Sequence, residues 1–274
     1  MMYRQLIQQL DNKSNPERLD IIIRQLHDLE VSYQKQEYPT GTNLIVDLGQ
    51  AEKRIGVSSH FDRVQNSAGA NDNASAIAVC IDIIKTFKNS TNNDFGLRVF
   101  FFDEEETGLK GSTAYVNEHG IKDLIGLMNM ELVGLGNKFA VWPVNENTSG
   151  EILTSFESVS KQKKIVTKRF DRIVTNTADH LPFQKAGLKD SFTITCISDK
   201  DIETAQHYFK AMEFEVDKQT LSDILSAAPI FEHYHKPTDT FDRLKEDSIL
   251  MTSATIWETI TAVHKMAGNS KHKS

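Results

Sequence analysis

Cysteine is almost absent from this chain: only Cys80 and Cys196 occur in 274 residues, far apart and both in apolar surroundings. Two such thiols read as small core residues, not as a disulfide framework. No run of apolar residues approaches the length of a membrane span. The first residues, MMYRQLIQQLDNKSNPERL, lack the apolar stretch of a signal peptide. A cytoplasmic location is therefore expected, or a secreted or periplasmic one if a leader has been removed. Positive charge is not in excess: the formal balance is −7, which excludes a general nucleic-acid binder, because no basic surplus can neutralise phosphates. Several catalytic signatures are missing as well. There is no G-x-S-x-G elbow to present a serine nucleophile, and no His-Glu-x-x-His helix. Gly134-Leu135-Gly136 lacks the third glycine and the strand-to-helix context of a dinucleotide site.

What is present is ordinary soluble-enzyme composition, 39% hydrophobic and 25% charged, in a chain long enough to bury a core without staples. Asn15 before Pro16 reads as an N-cap with a first-turn proline. Leu19, Ile22, Ile23, Leu26 and Leu29 then recur at helical spacing. Strands are expected at 31–38, 43–48 and 54–58, and a helix at 73–87. Residues 97–102 are almost wholly apolar, as in a strand covered on both faces. A helix near 112–118 and a strand at 125–130 follow. Later elements read as strands at 139–142 and 191–197, and as helices at 150–160, 202–212, 219–225 and 246–264. No linker or repeat interrupts the pattern. The expectation is one α/β domain over 1–274, with a mixed, mainly parallel sheet and with 1–14 and 267–274 as mobile ends.

The polar clusters sit at the carboxyl ends of these strands, where open α/β sheets collect ligands. Strand 54–58 runs into His60-Phe61-Asp62. Asp72 lies just before a helix. Strand 97–102 ends in Asp103-Glu104-Glu105-Glu106, and strand 125–130 ends in Glu131. His233 and His235 come late, followed by Asp239. His235 is the favoured partner of the two, because it holds the position before Pro237 and Asp239. Converging carboxylates repel and resist ionisation unless something positive sits among them. Histidines together with carboxylates suit zinc. Asp72, Glu106 and Glu131 carry three negative charges, and a bridging hydroxide adds a fourth, which two Zn²⁺ ions balance. Glu105 is then the carboxylate left free to act as a base.

These segments, taken together, resemble the di-zinc aminopeptidase family that also contains the glutaminyl cyclases. The matching pieces are His60-Phe61-Asp62, GANDNASA around Asp72, DEEETGLKGS, NMELVG around Glu131, ADHLPF at 178–183 and YHKPTDT at 234–240. They occur in the family's order across about 54–241. The resemblance implies a three-layer α/β/α zinc-exopeptidase fold and hydrolysis of N-terminal residues from peptides. It implies that Asp72 bridges two metals, that His60 and Glu131 complete the first site, and that Glu106 and His235 complete the second. Glu105 is implied as the general base, Asp62 as the residue orienting His60, and Asp239 as support for the His235 loop. Asp179, His180 and Tyr234 are implied at the substrate pocket. Two departures matter. Glu131 stands where the family more often has aspartate, which leaves room for Mn²⁺ or Co²⁺ in place of zinc. Tyr234 stands where the cyclases place tryptophan, which favours peptidase over glutaminyl-peptide cyclotransferase. A non-catalytic binding domain is the remaining alternative.

Overall fold

The computed structural model describes residues 2–91, 95–171 and 177–271. Its frame is an eight-stranded sheet in the order β1-β2-β4-β3-β5-β8-β6-β7. The strands are β1 (Gln34–Tyr38), β2 (Gly41–Leu48), β3 (Arg54–His60), β4 (Gly96–Phe102), β5 (Leu124–Met130), β6 (Lys138–Trp142), β7 (Thr167–Arg169) and β8 (Ser191–Ile197). The central four, β4-β3-β5-β8, run parallel. The β1–β2, β2–β4 and β6–β8 pairs are antiparallel, and edge strand β7 pairs parallel with β6. The sheet is therefore mixed and mainly parallel at its centre, as the sequence implied.

Alternation along β4 shows why this strand is apolar throughout. Leu97, Val99 and Phe101 enter one core with helices α3 (Ser75–Asn89), α5 (Glu151–Gln162) and α9 (Glu246–Lys271). Phe100 and Phe102 enter a second core on the opposite face, with Tyr115 of α4 (Lys110–His119) and Phe183 of α6 (His180–Lys185). A strand buried on both faces has no polar side to show. The connection leaving β3 passes through α3 on one face, and the connection leaving β4 passes through α4 on the other. The loops after these adjacent strands diverge, and a crevice opens beyond their carboxyl ends.

The amino terminus differs from expectation. Residues Met2–Leu10 form a helix, α1, not a mobile end. Leu6, Ile7 and Leu10 are buried in the same core as α3, because their spacing gives even this short polar segment one apolar face. Leu10→Ala is expected to cost about 2–5 kcal/mol, read as a lower midpoint in denaturant unfolding. A change within error would mean that α1 does not seal the core. At the other end, α9 continues through Lys271, and the expectation for 272–274 lies outside the described residues.

Helix α2 (Asn15–Asp28) also shifts in detail. Its N-cap is Ser14, one residue earlier than expected, and the Glu17 carboxylate accepts from the Ser14 backbone N–H at 2.9 Å. Its buried face is Arg18, Ile21, Ile22 and Leu26, while Leu19, Ile23 and Leu29 only flank the core. The buried cysteines are free thiols.

Candidate metal centre

β3 delivers His60, which is 1% exposed, at the mouth of the crevice. Its Nδ1 faces the Asp62 backbone carbonyl at 3.0 Å and the Asp62 carboxylate at 3.3 Å. Two oxygens at Nδ1 place the ring proton there and leave Nε2 to look into the site. Nε2 lies 3.2 Å from Asp72 Oδ1 and 3.1 Å from Glu131 Oε2. On the far side, His235 Nε2 lies 3.2 Å from Asp72 Oδ2 and 3.1 Å from Glu106 Oε2. Asp72 thus gives one oxygen to each of two triads. His233 does not compete: its Nδ1 is 2.9 Å from the Thr238 hydroxyl.

The turn carrying Asp72, Ala70–Ala74, is held from behind. The Asp239 carboxylate accepts from the Asn71 N–H at 2.9 Å and the Asp72 N–H at 3.1 Å. Asp62 does the same for the loop after β4, accepting from the N–H groups of Glu105 at 3.0 Å and Glu106 at 3.1 Å. Asp62 therefore fixes both the His60 ring and the backbone that presents the two glutamates, and Asp239 supports the Asp72 turn. Glu131 is steadied by two amides. Asn73 donates to its Oε2 at 2.8 Å and Asn129 to its Oε1 at 3.1 Å. These donors fix the Glu131 carboxylate with its Oε2 facing His60 Nε2. Sequence reading did not single out either asparagine, although each lies within two residues of a candidate ligand.

The electrostatics are those of a site built around positive charge. Burial pushes Glu105 well above the usual carboxylate range, and the neighbouring Glu131, Asp179 and Glu106 charges add to this against the pull of His60. Glu106 and Glu131 are also raised, chiefly by burial. Burial would raise Asp72 too, yet hydrogen bonds from His235 and His60 hold it below the usual range. Burial lowers His235, but Asp72 and Glu106 outweigh that and bring it up to about 9. Burial lowers His60 as well, but Glu131, Asp62 and Asp72 outweigh it and raise the ring well above the usual imidazole range.

A divalent cation fits this donor set. Metal–ligand bonds of about 2.0–2.1 Å in a tetrahedral zinc site put neighbouring ligand atoms about 3.3 Å apart, which matches the nitrogen–oxygen separations above. Glu106 Oε1 is buried without a hydrogen-bond partner, an orphan of the kind that a metal satisfies. Donor atoms of His60, Asp72 and Glu106 all lie within 4.8 Å of one another.

The peptidase family M28 model matches residues 43–260. The chain is a member of that family. Every donor residue named above falls inside the matched span. Among M28 and related proteins, the chain is 28% identical over 182 residues to the aminopeptidase YwaD of Bacillus subtilis, covering 63% of this chain and 39% of that protein. It is 34% identical over 110 residues to the mouse endoplasmic reticulum metallopeptidase 1, covering 38% of this chain and 12% of that protein. The chain thus spans well under half the length of these curated relatives. In fold it is similar to Porphyromonas gingivalis glutaminyl cyclase, with a TM-score of 0.72 and 15% identity over 95% of this chain and 97% of that one. It is also similar to BSAP, a zinc aminopeptidase from Bacillus subtilis, with a TM-score of 0.60 and 21% identity over 80% of this chain and 49% of that one.

Next to the donors, the M28 chain opens a cavity of about 480 Å³. Its lining joins Glu105, Tyr234 and His235 to the aromatic residues Trp142, Phe170, Tyr208, Phe209 and Phe231, with Thr195, Asp201 and Thr204 among them. The Tyr234 ring stacks on His235 with centroids 3.7 Å apart. The resemblance implied Asp179 and His180 at the substrate pocket. Both are fully buried and neither lines the cavity. The start of α6 turns them inward, where His180 Nδ1 meets the Thr193 hydroxyl at 2.6 Å and its ring packs edge-on against Trp142. Burial pushes Asp179 up to about 8 and His180 down to about 3, so both resist carrying charge. They support the wall of the cavity from behind. Among the described residues, no helix is long and apolar enough to cross a membrane.

Proposed function

We propose that this chain is a metal-dependent aminopeptidase that holds two Zn²⁺ ions and removes large apolar residues from the N-termini of peptides. The observation that carries the reading is the split of the Asp72 carboxylate between His60 and His235, 3.2 Å from each. In this reading His60, Asp72 and Glu131 hold one ion, and Asp72, Glu106 and His235 the other; a carboxylate-rich set also accepts Mn²⁺ or Co²⁺. The ions, when bound, supply positive charge that acidifies the attacking water and polarises the scissile carbonyl. Glu105 takes the proton from that water and returns it to the leaving amine. Asp62 holds the Glu105 backbone, and with it the base, at a fixed distance from His60. The aromatic cavity receives the first side chain of the peptide and excludes water from it.

A second reading, acyl transfer at an N-terminal glutamine, has one observation in its favour: the fold extends over almost the whole of a glutaminyl cyclase chain. Tyr234 speaks against it, as does the apolar lining of the cavity. Metal analysis combined with a panel of aminoacyl and dipeptide substrates tests the choice. About two metal ions per chain are expected, with turnover highest for bulky apolar first residues, abolished by a chelator and restored by Zn²⁺. Cyclisation of glutaminyl peptides without hydrolysis would replace the peptidase reading, and a metal-loaded protein inert to the whole panel would remove it.

A further inference from the structure

Arg18 lies outside the span matched by the family model and belongs to a helix with no donor residue. It is nevertheless completely buried. Its guanidinium reaches three separate segments. Nε donates to the Leu10 carbonyl at the end of α1 at 3.2 Å, and Nη1 donates to the Phe61 carbonyl at 3.0 Å and the Asp62 carbonyl at 3.5 Å. Nη2 donates to the Gly69 carbonyl, immediately before the Asp72 turn. Among the described residues, no carboxylate is bonded to it directly. A buried charge bonded only to neutral carbonyls is expensive unless opposite charge lies close by, and here Asp72, Asp239 and Asp62 are the acids that act on it. Burial lowers the guanidinium only to about 10, so it remains cationic at neutral pH.

Two of the carbonyls it grips, those of Asp62 and Gly69, bear on the centre. The Asp62 carbonyl also orients His60 through Nδ1 at 3.0 Å. The Gly69 carbonyl opens the turn that aims Asp72. Gly69 has a φ of +75°, and a Cβ there would stand 2.9 Å from Arg18 Nη2, so the glycine makes room for the guanidinium. Arg63 adds a second tie between the same segments, donating to the Lys13 carbonyl at 2.6 Å.

We propose that Arg18 is a positioning residue of the metal centre: a fixed cation that clamps the loop after β3 to the turn before Asp72, and so holds His60 and Asp72 in register. The proposal rests on the metallopeptidase reading. It makes α2, which the family model does not include, part of the machinery of metal binding.

The test measures Zn²⁺ affinity by chelator competition, and thermal midpoints with and without metal, for the wild type, Arg18→Met, Arg18→Lys and Gly69→Ala. Arg18→Met is expected to bind Zn²⁺ about 10–100-fold more weakly, the usual loss when an outer partner of a metal ligand is removed. Arg18→Lys keeps the charge without the fork and is expected to recover part of that loss. Gly69→Ala keeps the arginine but displaces it, and is expected to weaken Zn²⁺ binding as well. If Arg18→Met does not fold, the other two variants carry the comparison. Wild-type affinity in the folded variants, with midpoints lowered equally in the presence and absence of metal, would show a purely structural role and overturn the proposal. A wild-type protein that binds no divalent metal would overturn the metallopeptidase reading itself, and the proposal with it.

Discussion

Glu105→Gln is expected to leave metal content unchanged and to reduce kcat by about 10²–10⁴-fold, the range that a positioned general base contributes. The substitution preserves shape and takes away only the capacity to accept a proton. The Glu105 side chain is in neither histidine–carboxylate triad, so the donor set stays intact. Its backbone N–H still donates to Asp62 at 3.0 Å, so the loop keeps its course. The loss therefore belongs to kcat, and KM should move little. Metal analysis and steady-state kinetics on the same preparation read both quantities. Retained turnover would remove Glu105 from the chemistry, and parallel loss of metal would show that it serves the ions instead.

Asp72→Asn is expected to empty both sites together. One carboxylate serves two imidazoles through its two oxygens. An amide offers one acceptor and turns a donor toward the other side. It also removes the negative charge common to both positions. The fall in affinity should exceed the roughly 10–100-fold typical of an outer-shell partner, and it should be equal at the two sites. Metal per chain after dialysis against a weak chelator measures it. Retention of one ion at wild-type affinity would show that Asp72 does not bridge. The backbone bonds from Asp239 to Asn71 and Asp72 are unaffected by the change, so the turn itself should persist and the variant should fold.

Much of the centre was legible before any coordinates, for a definite reason. His60 ends β3, Glu131 follows directly on β5, Glu105 and Glu106 come just after β4, and these parallel strands bring their carboxyl ends to one edge. Three short local signals thereby locate one crevice. Asp72 was legible through its position before α3, and His235 through the segment that leads to Asp239. The helix expected at 202–212 begins at Asp199 and the one expected at 246–264 runs to Lys271, while most helix boundaries that slipped did so by a residue or two at caps. The Ser14 cap for α2 is an example, since Asn15 is an equally good capping residue in composition and only the Ser14–Glu17 hydrogen bonds decide between them.

Other parts had no local signal. The α1 segment is polar on average and reads as an end, yet three apolar residues on one face suffice once a core stands beside it. Asp179 and His180 sit in a motif that suggests a pocket, and the inward turn of α6 takes them behind its wall. The cavity is assembled from residues as distant as Leu109 and His235, so no window of sequence contains it.

The sequence by itself determined the mixed α/β plan, the strand ends that carry the donors, and the chemistry those donors favour, because alternation and strand-terminal polarity are local properties. Only the tertiary structure decided that Asp72 faces two histidines, that two asparagines hold the Glu131 carboxylate, and that the cationic clamp behind the site comes from Arg18. A helical pattern assigns an arginine to solvent. Whether its charge is instead buried depends on the acids that distant segments bring around it, and that is settled only when the chain has closed.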